Sequence, residues 1–226
     1  MGAFFLWRKI LFICIICSVT IFFIFHSFTK RQHYIPVFNV LTTPAAITSG
    51  MKGSALTVNI AFGDDDVQQW IEQLQSPYPL IFLDLEWAER YPSTIEMMVE
   101  KNITIGLLGK DGNAYMESND LLEKQIDQYE ALFQSKPLWF RTADEQFPKE
   151  LLNALSKKEI NALSSSIRWT GGKIKLEQNG EIVSVSSYKN HQIDFKALQQ
   201  LTNDHPFNTI DQVLFNLQSK KKKIPN

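Results

Sequence analysis

The chain has 226 residues, 44% of them hydrophobic and 21% charged, enough for one sizeable domain with an appendage. Its net charge is −1, and because four of the 23 Lys and Arg precede Gln32 while all 24 Asp and Glu follow it, the remainder carries −5, which gives no support to nucleic-acid binding. Its two cysteines are Cys14 and Cys17, so the region beyond them has neither a disulfide nor a cysteine nucleophile.

Ile10 to Phe28, ILFICIICSVTIFFIFHSF, is nineteen residues without a formal charge, between Arg8 and Lys9 on one side and Lys30 and Arg31 on the other. As a helix it spans roughly 28 Å, close to the ~30 Å hydrocarbon core of a bilayer. It is longer than a signal-peptide core, and SFTKRQHY offers no small-x-small cleavage site. The expectation is an uncleaved signal anchor at 10–28 behind a cytoplasmic tail at 1–9. Cys14 and Cys17 follow bulky residues and read as small apolar members of that helix. The flanking charges balance, so the positive-inside rule does not set the orientation. The short N-terminal tail points to a single-pass membrane protein whose C-terminal domain is extracytoplasmic. QHYIPVFNVLTTPAAITSGMKG is turn-rich, and 29–53 reads as a stalk.

The domain is expected over 54–218. ALTVNIAF is an apolar, β-branched strand that ends at Gly63 and three carboxylates, Asp64, Asp65 and Asp66. LIFLD is a buried strand, WAERYPSTIEMMVEKN an amphipathic helix with a Pro near its start, and ITIGLL a third strand. Asn119 to Gln134 places Leu122, Ile126, Tyr129 and Phe133 on one helical stripe. A strand at Leu138–Arg141, a helix at Pro148–Lys158 and a strand at Ile160–Ile167 follow. KIKLEQNGEIVSVSS is either a hairpin about Asn179-Gly180 or a turn into the last strand. Helices at Asp194–Leu201 and Ile210–Gln218 close the domain, and 219–226, with Lys220 to Lys223, is a basic, solvated tail. Strands alternating with helices imply parallel strands wrapped by helices, with chemistry at the carboxyl ends of the strands.

The order AFGDDD, then FLDLEWAERYPSTIEMMVEKNITIG, then WFRTAD resembles the polysaccharide deacetylase (NodB-homology) family, carbohydrate esterase family four, over roughly Ala55 to Asn203. The resemblance implies a distorted (β/α) barrel of the polysaccharide deacetylase type, preceded here by one transmembrane helix. It also implies a divalent metal held by one Asp and two His, with a neighbouring Asp as base. The metal would polarise the acetamide carbonyl and activate water.

Laid on this sequence, the family's Thr-Phe-Asp-Asp-Gly falls on Ala61-Phe62-Gly63-Asp64-Asp65. Gly63 then stands at the base position and Asp64 at the metal-ligand Asp, with Asp65 or Asp66 reachable by a one-residue shift. The three Asp can equally serve as a helix N-terminus. After Ile105-Gly106, Leu108 and Gly112 replace the two His ligands. Arg141 is the family's Arg that steers the base. It could pair with Asp64 or Asp144, or hold an anionic ligand. Arg168 and Ser186 stand where the family has an Asp and a His, so acid–base capacity near neutral pH is lost. His191 and His205, after the last strand, have no metal-ligand spacing. Trp139 and Trp169 could stack on a sugar ring or belong to the core.

Three functions follow. The first is an inactive deacetylase-like domain with no resident cofactor, which binds a cell-envelope glycan or a wall-associated protein through a groove of Asp64, Asp65, Arg141, Trp139 and Trp169. The second is an active hydrolase of carbon–nitrogen amide bonds in a polysaccharide, with a divalent metal held by Asp64, Asp65, Asp66 and Glu86. The third is a structural partner domain in a membrane complex.

Overall fold

A computed structural model describes residues 43–118, 120–186 and 192–215, all within one compact unit, Phe38–Asn226. Its centre is a seven-stranded sheet of β1 (Gly53–Ile60), β2 (Leu80–Leu83), β3 (Ile105–Gly109), β4 (Trp139–Thr142), β5 (Asn161–Ala162), β6 (Ile167–Arg168) and β7 (Asn179–Ser186). The order is β5-β4-β3-β2-β1-β7-β6, and every pairing is parallel. The helices are α1 (Asp65–Gln73), α2 (Leu85–Arg90), α3 (Pro92–Glu100), α4 (Ala114–Glu117), α5 (Leu121–Phe133), α6 (Lys149–Lys157), α7 (Phe195–Asp204) and α8 (Ile210–Phe215). The result is a curled, parallel half-barrel with helices packed on its outer face.

Period-two alternation sorts the strand residues into two layers. Leu56, Val58 and Ile60 of β1, with Ile81, Leu83, Val183 and Val185, pack outward against Val67, Trp70 and Ile71 of α1 and Met98 of α3. The intervening Ala55, with Leu80, Phe82, Leu108, Trp139, Leu163 and Ile182, fills the inside. Where that inner face nears the carboxyl ends it becomes polar, with Thr57, Asn59, Arg141 and Ser184 all buried.

Several elements depart from the sequence expectation. The helix expected from Trp87 to Asn102 is two, broken at Tyr91 (φ −124°, ψ 57°). Pro92 disfavours the helical conformation for the residue before it and starts α3 in its own right. The strand expected over Ile160–Ile167 is β5 and β6, two residues each, at opposite edges of the sheet. Asn179-Gly180 opens β7 and turns no hairpin, because β7 runs parallel to both its neighbours.

The segment expected to be a stalk also enters the fold. Ile47 donates to Ala162 O at 2.9 Å and accepts from Ser164 N at 2.8 Å, while Gly50 N donates to Gly180 O at 2.7 Å. Ile47–Gly50 is thus a strap between the two edge regions, held there because the Ile47 side chain completes the inner core.

The expectation of a single-pass membrane protein is corrected. No helix among the described residues is long and apolar enough to cross a membrane, and the run at 10–28 lies outside them, as do the tail at 1–9, the basic tail at 219–226 and His191.

Candidate functional site: a polar network at the carboxyl ends of the strands

Arg141 is the centre of the inner polar layer, and none of it is exposed. Strand alternation turns it inward beside Leu108, its register partner on β3. Its guanidinium donates from Nε to Leu163 O (2.9 Å), from Nη1 to Thr57 Oγ1 (2.8 Å) and Asn59 Oδ1 (3.1 Å), and from Nη2 to Ser164 O (3.0 Å). Its plane lies over the Phe82 ring, 4.3 Å from the centroid, a cation–π contact strengthened by exclusion of water. Burial pushes its pKa down to about 10, opposed by the charge of Glu145, so Arg141 is a cation at neutral pH. It pairs with neither Asp64 nor Asp144, the two partners the sequence suggested.

The counter-charge comes from Glu145, in the loop after β4, only 8% exposed and held at a left-handed φ of 57°. Its Oε2 accepts from Ser164 Oγ (2.9 Å) and Ser165 Oγ (2.7 Å), and its Oε1 from Ser184 Oγ (2.8 Å). Arg168 Nε stands 3.5 Å from Oε1, and Arg168 Nη2 donates to Asp144 O at 2.8 Å. Burial alone would raise the Glu145 carboxyl; Arg141 and the three hydroxyls outweigh it and hold the group below the ordinary carboxylate range.

A second polar group lies across the mouth. Lys110 Nζ, after β3, reaches Asp84 Oδ2 (3.3 Å) and Glu86 Oε1 (3.5 Å), while Asp84 Oδ1 caps α2 by accepting from Trp87 N at 3.2 Å. Burial would lower the Lys110 pKa, but the two carboxylates prevail and raise it. The Lys110 backbone is fixed by its N–H bond to Tyr115 Oη at 2.9 Å.

The residues expected to carry chemistry have other duties. Gly63 is not a base position left empty. Its φ is 109°, and a Cβ there would run into Val67 Cγ2, while its carbonyl accepts from Trp87 Nε1 at 2.8 Å. Asp64 accepts from Tyr91 Oη, and Asp65 begins α1. Asp66 Oδ1 accepts from Asp64 N (3.1 Å) and Val67 N (2.9 Å), the helix-start role that the sequence left open. Leu108 is packed in the inner core. Gly112 has no room for a side chain, since a Cβ there would meet Gln146 O, and its N–H donates to Asp144 Oδ1 at 3.0 Å. Ser186 Oγ accepts from Asn59 Nδ2 at 3.4 Å. Trp139 and Trp169 are both core residues, one inside the sheet and one outside it. His205 follows α7, its ring edge-on to Phe207 at 6.4 Å.

The residue Arg141 reaches at the end of β1 is Asn59, four residues before Gly63. The sequence signal for Asn59 was the strand ALTVNI itself, masked by the more conspicuous triple Asp. Glu145, Asp84 and Lys110 had no signal, being isolated charges in loops.

Leu108 and Gly112, expected in place of the two His ligands, offer a metal no side-chain donor, and among the described residues no group of three or more His, Cys, Asp or Glu could hold a metal ion. The four carboxylates of the rearranged-site expectation are engaged apart, Glu86 with Lys110 and Asp64 with Tyr91.

No family model matches the chain, and no curated protein does. Solved structures do. The wild-type form of BA3943, a CE4 family pseudoenzyme from Bacillus anthracis, aligns at 18% identity over 76% of this chain and 69% of that one, with a TM-score of 0.60. PdaA of Bacillus subtilis, a family 4 carbohydrate esterase, aligns at 15% identity over 76% and 86%, with a TM-score of 0.60. The chitin deacetylase of Colletotrichum lindemuthianum aligns at 13% identity over 77% and 93%, with a TM-score of 0.61. In two mutant forms of BA3943 the match spans 66% of that chain's length. The curled sheet, its strand order and these alignments together establish that the chain has the fold of the family four carbohydrate esterases, a fold that carries both deacetylases and a pseudoenzyme.

Proposed function

We propose that this is a catalytically inactive, polysaccharide deacetylase-like domain that binds a cell-envelope glycan. What supports the reading is that Leu108 and Gly112, which the resemblance lays on the family's two His ligands, offer a metal no side-chain donor. Leu108 is inner core and Gly112 has no room for a side chain, so packing stands where a reactive centre would be. Arg141 no longer steers a base; it is bound by Asn59, Thr57 and two backbone carbonyls. The resemblance lays Arg168 and Ser186 on the family's Asp and His, and neither is a carboxylate or an imidazole. The mouth still offers a polar lining and an exposed aromatic, Phe62, 60% exposed on the loop after β1. An aromatic face beside convergent polar groups suits a sugar ring.

The full chain, incubated with zinc, cobalt or manganese, is expected to retain no stoichiometric metal and to release no acetate from acetylated chitin oligomers or peptidoglycan fragments. It is expected to bind at least one of these glycans, more weakly after Phe62→Ala. Acetate release that tracks bound metal would overturn the inactive reading, and absence of binding to every glycan offered would overturn the other half.

A further inference from the structure

The sheet does not close on itself by strand pairing. Its edges are β5 and β6, two residues each, and the chain passes from one to the other through residues 163–166. That crossover makes few backbone bonds of its own. Leu163 N donates to Phe140 O (2.9 Å), Ser164 N to Ile47 O (2.8 Å), Ser166 N to Ile182 O (3.0 Å) and Trp169 N to Ser184 O (2.8 Å).

We infer that Glu145 is a clasp that closes the half-barrel at its mouth. A single carboxylate, carried on the loop after β4, binds the crossover through Ser164 and Ser165 and β7 through Ser184. It therefore joins the two sides of the gap that the backbone leaves open. It also sets the position of Arg168, whose guanidinium lies between the Glu145 carboxylate and Asp144 O. From its place in the loop after β4 the Glu145 side chain gathers three hydroxyl donors. Hydrogen bonds to an ionised, largely buried acceptor are stronger than neutral ones. The clasp works from the mouth and the Ile47–Gly50 strap from the other side of the same gap. The inference stands apart from the glycan-binding proposal, since it concerns how the mouth is held and not what enters it.

Amide hydrogen exchange on the full chain tests it, because loss of a clasp opens a local unit while leaving the rest of the fold protected. In Glu145→Ala the amides of Leu163, Ser164, Ser166 and Trp169 are expected to exchange about tenfold faster or more. The amides of Ile81 and Asp84, bonded to Thr104 O and Ile60 O at 3.0 Å each, are expected to keep their wild-type rates. Unchanged rates at the four crossover amides would overturn the inference, and so would an equal rise at both sets. Should Glu145→Ala fail to fold, the double variant Ser165→Ala/Ser184→Ala decides. It keeps the carboxylate and its charge, and the same selective loosening is expected of it; protection equal to wild type would count against the clasp.

Discussion

Arg141 Nη1 stands 3.1 Å from Asn59 Oδ1, a contact that joins β4 to β1 inside the curled sheet. The amide accepts the Arg proton as a carboxylate would, yet it cannot take a proton from water at neutral pH. Asn59→Asp restores the charge and the pairing geometry at once. The variant is expected to be at least as stable as wild type in urea, since Arg141 gains a counter-ion in a buried site. It is still expected to hold no metal and to release no acetate, because Leu108 and Gly112 supply no ligands. Acetate release by this single variant would show that a base, and not the metal ligands, was all that was missing.

Arg141→Lys separates charge from shape. Lysine keeps the cation but loses the planar fork that serves four acceptors and lies over Phe82. Acceptors left without donors in a dry interior should cost roughly 3–5 kcal/mol. Urea denaturation reads it directly; a loss below about 1 kcal/mol would mean that Arg141 contributes charge alone.

Much of this architecture was legible in the sequence, and the parts that were not share a cause. Apolar runs and 3.6-residue stripes located β1 to β4, α5 and α6, because burial on one face leaves a periodic trace. The division at Tyr91 turned on one Pro, whose effect on the preceding residue is local and easily absorbed into a helical pattern. β5 and β6 are too short to have a period at all, and only three-dimensional pairing separates them. The Ile47–Gly50 strap resembles a linker because its place in the fold comes from backbone bonds and one buried Ile. At the mouth, Leu108 and Arg141 lie near where the sequence expected strand ends, because the apolar runs of β3 and β4 fixed those ends. The triple Asp drew the end of β1 beyond Ile60, and the roles of Gly63 and Asn59 followed from that. Glu145 could not be read, since its partners come from residues 164, 165 and 184, far along the chain.

Gly63 and Gly112 mark two places where a side chain cannot simply be returned. Gly63→Asp places a Cβ against Val67 Cγ2 at a φ of 109°, and is expected to destabilise by about 2 kcal/mol or more. Gly112→His meets the backbone carbonyl of Gln146 and is expected to cost a similar amount, about 2 kcal/mol. Thermal melts of both variants check this. A Gly63→Asp variant as stable as wild type would mean that the loop after β1 is freer than its bond to Trp87 Nε1 implies.

The charge on Glu145 also gives stability a pH dependence. Its pKa in the fold lies below the ordinary value of 4.5, so the carboxylate is the form the fold prefers. A depressed pKa contributes stability that is fully present above the unfolded value and is lost as pH falls through the folded one. Wild type and Glu145→Gln, followed by urea denaturation from pH 7 down to about pH 3, are therefore expected to differ most at the upper end. The difference should hold steady above the unfolded value near 4.5 and shrink below it as wild type takes up the proton. Arg141, at about 10, stays cationic across that window, so the change in the difference belongs to this one carboxyl. A constant difference down to the lowest pH would mean that the Glu145→Gln variant fails through shape and not through charge, and that the network needs a fork of acceptors more than it needs an anion.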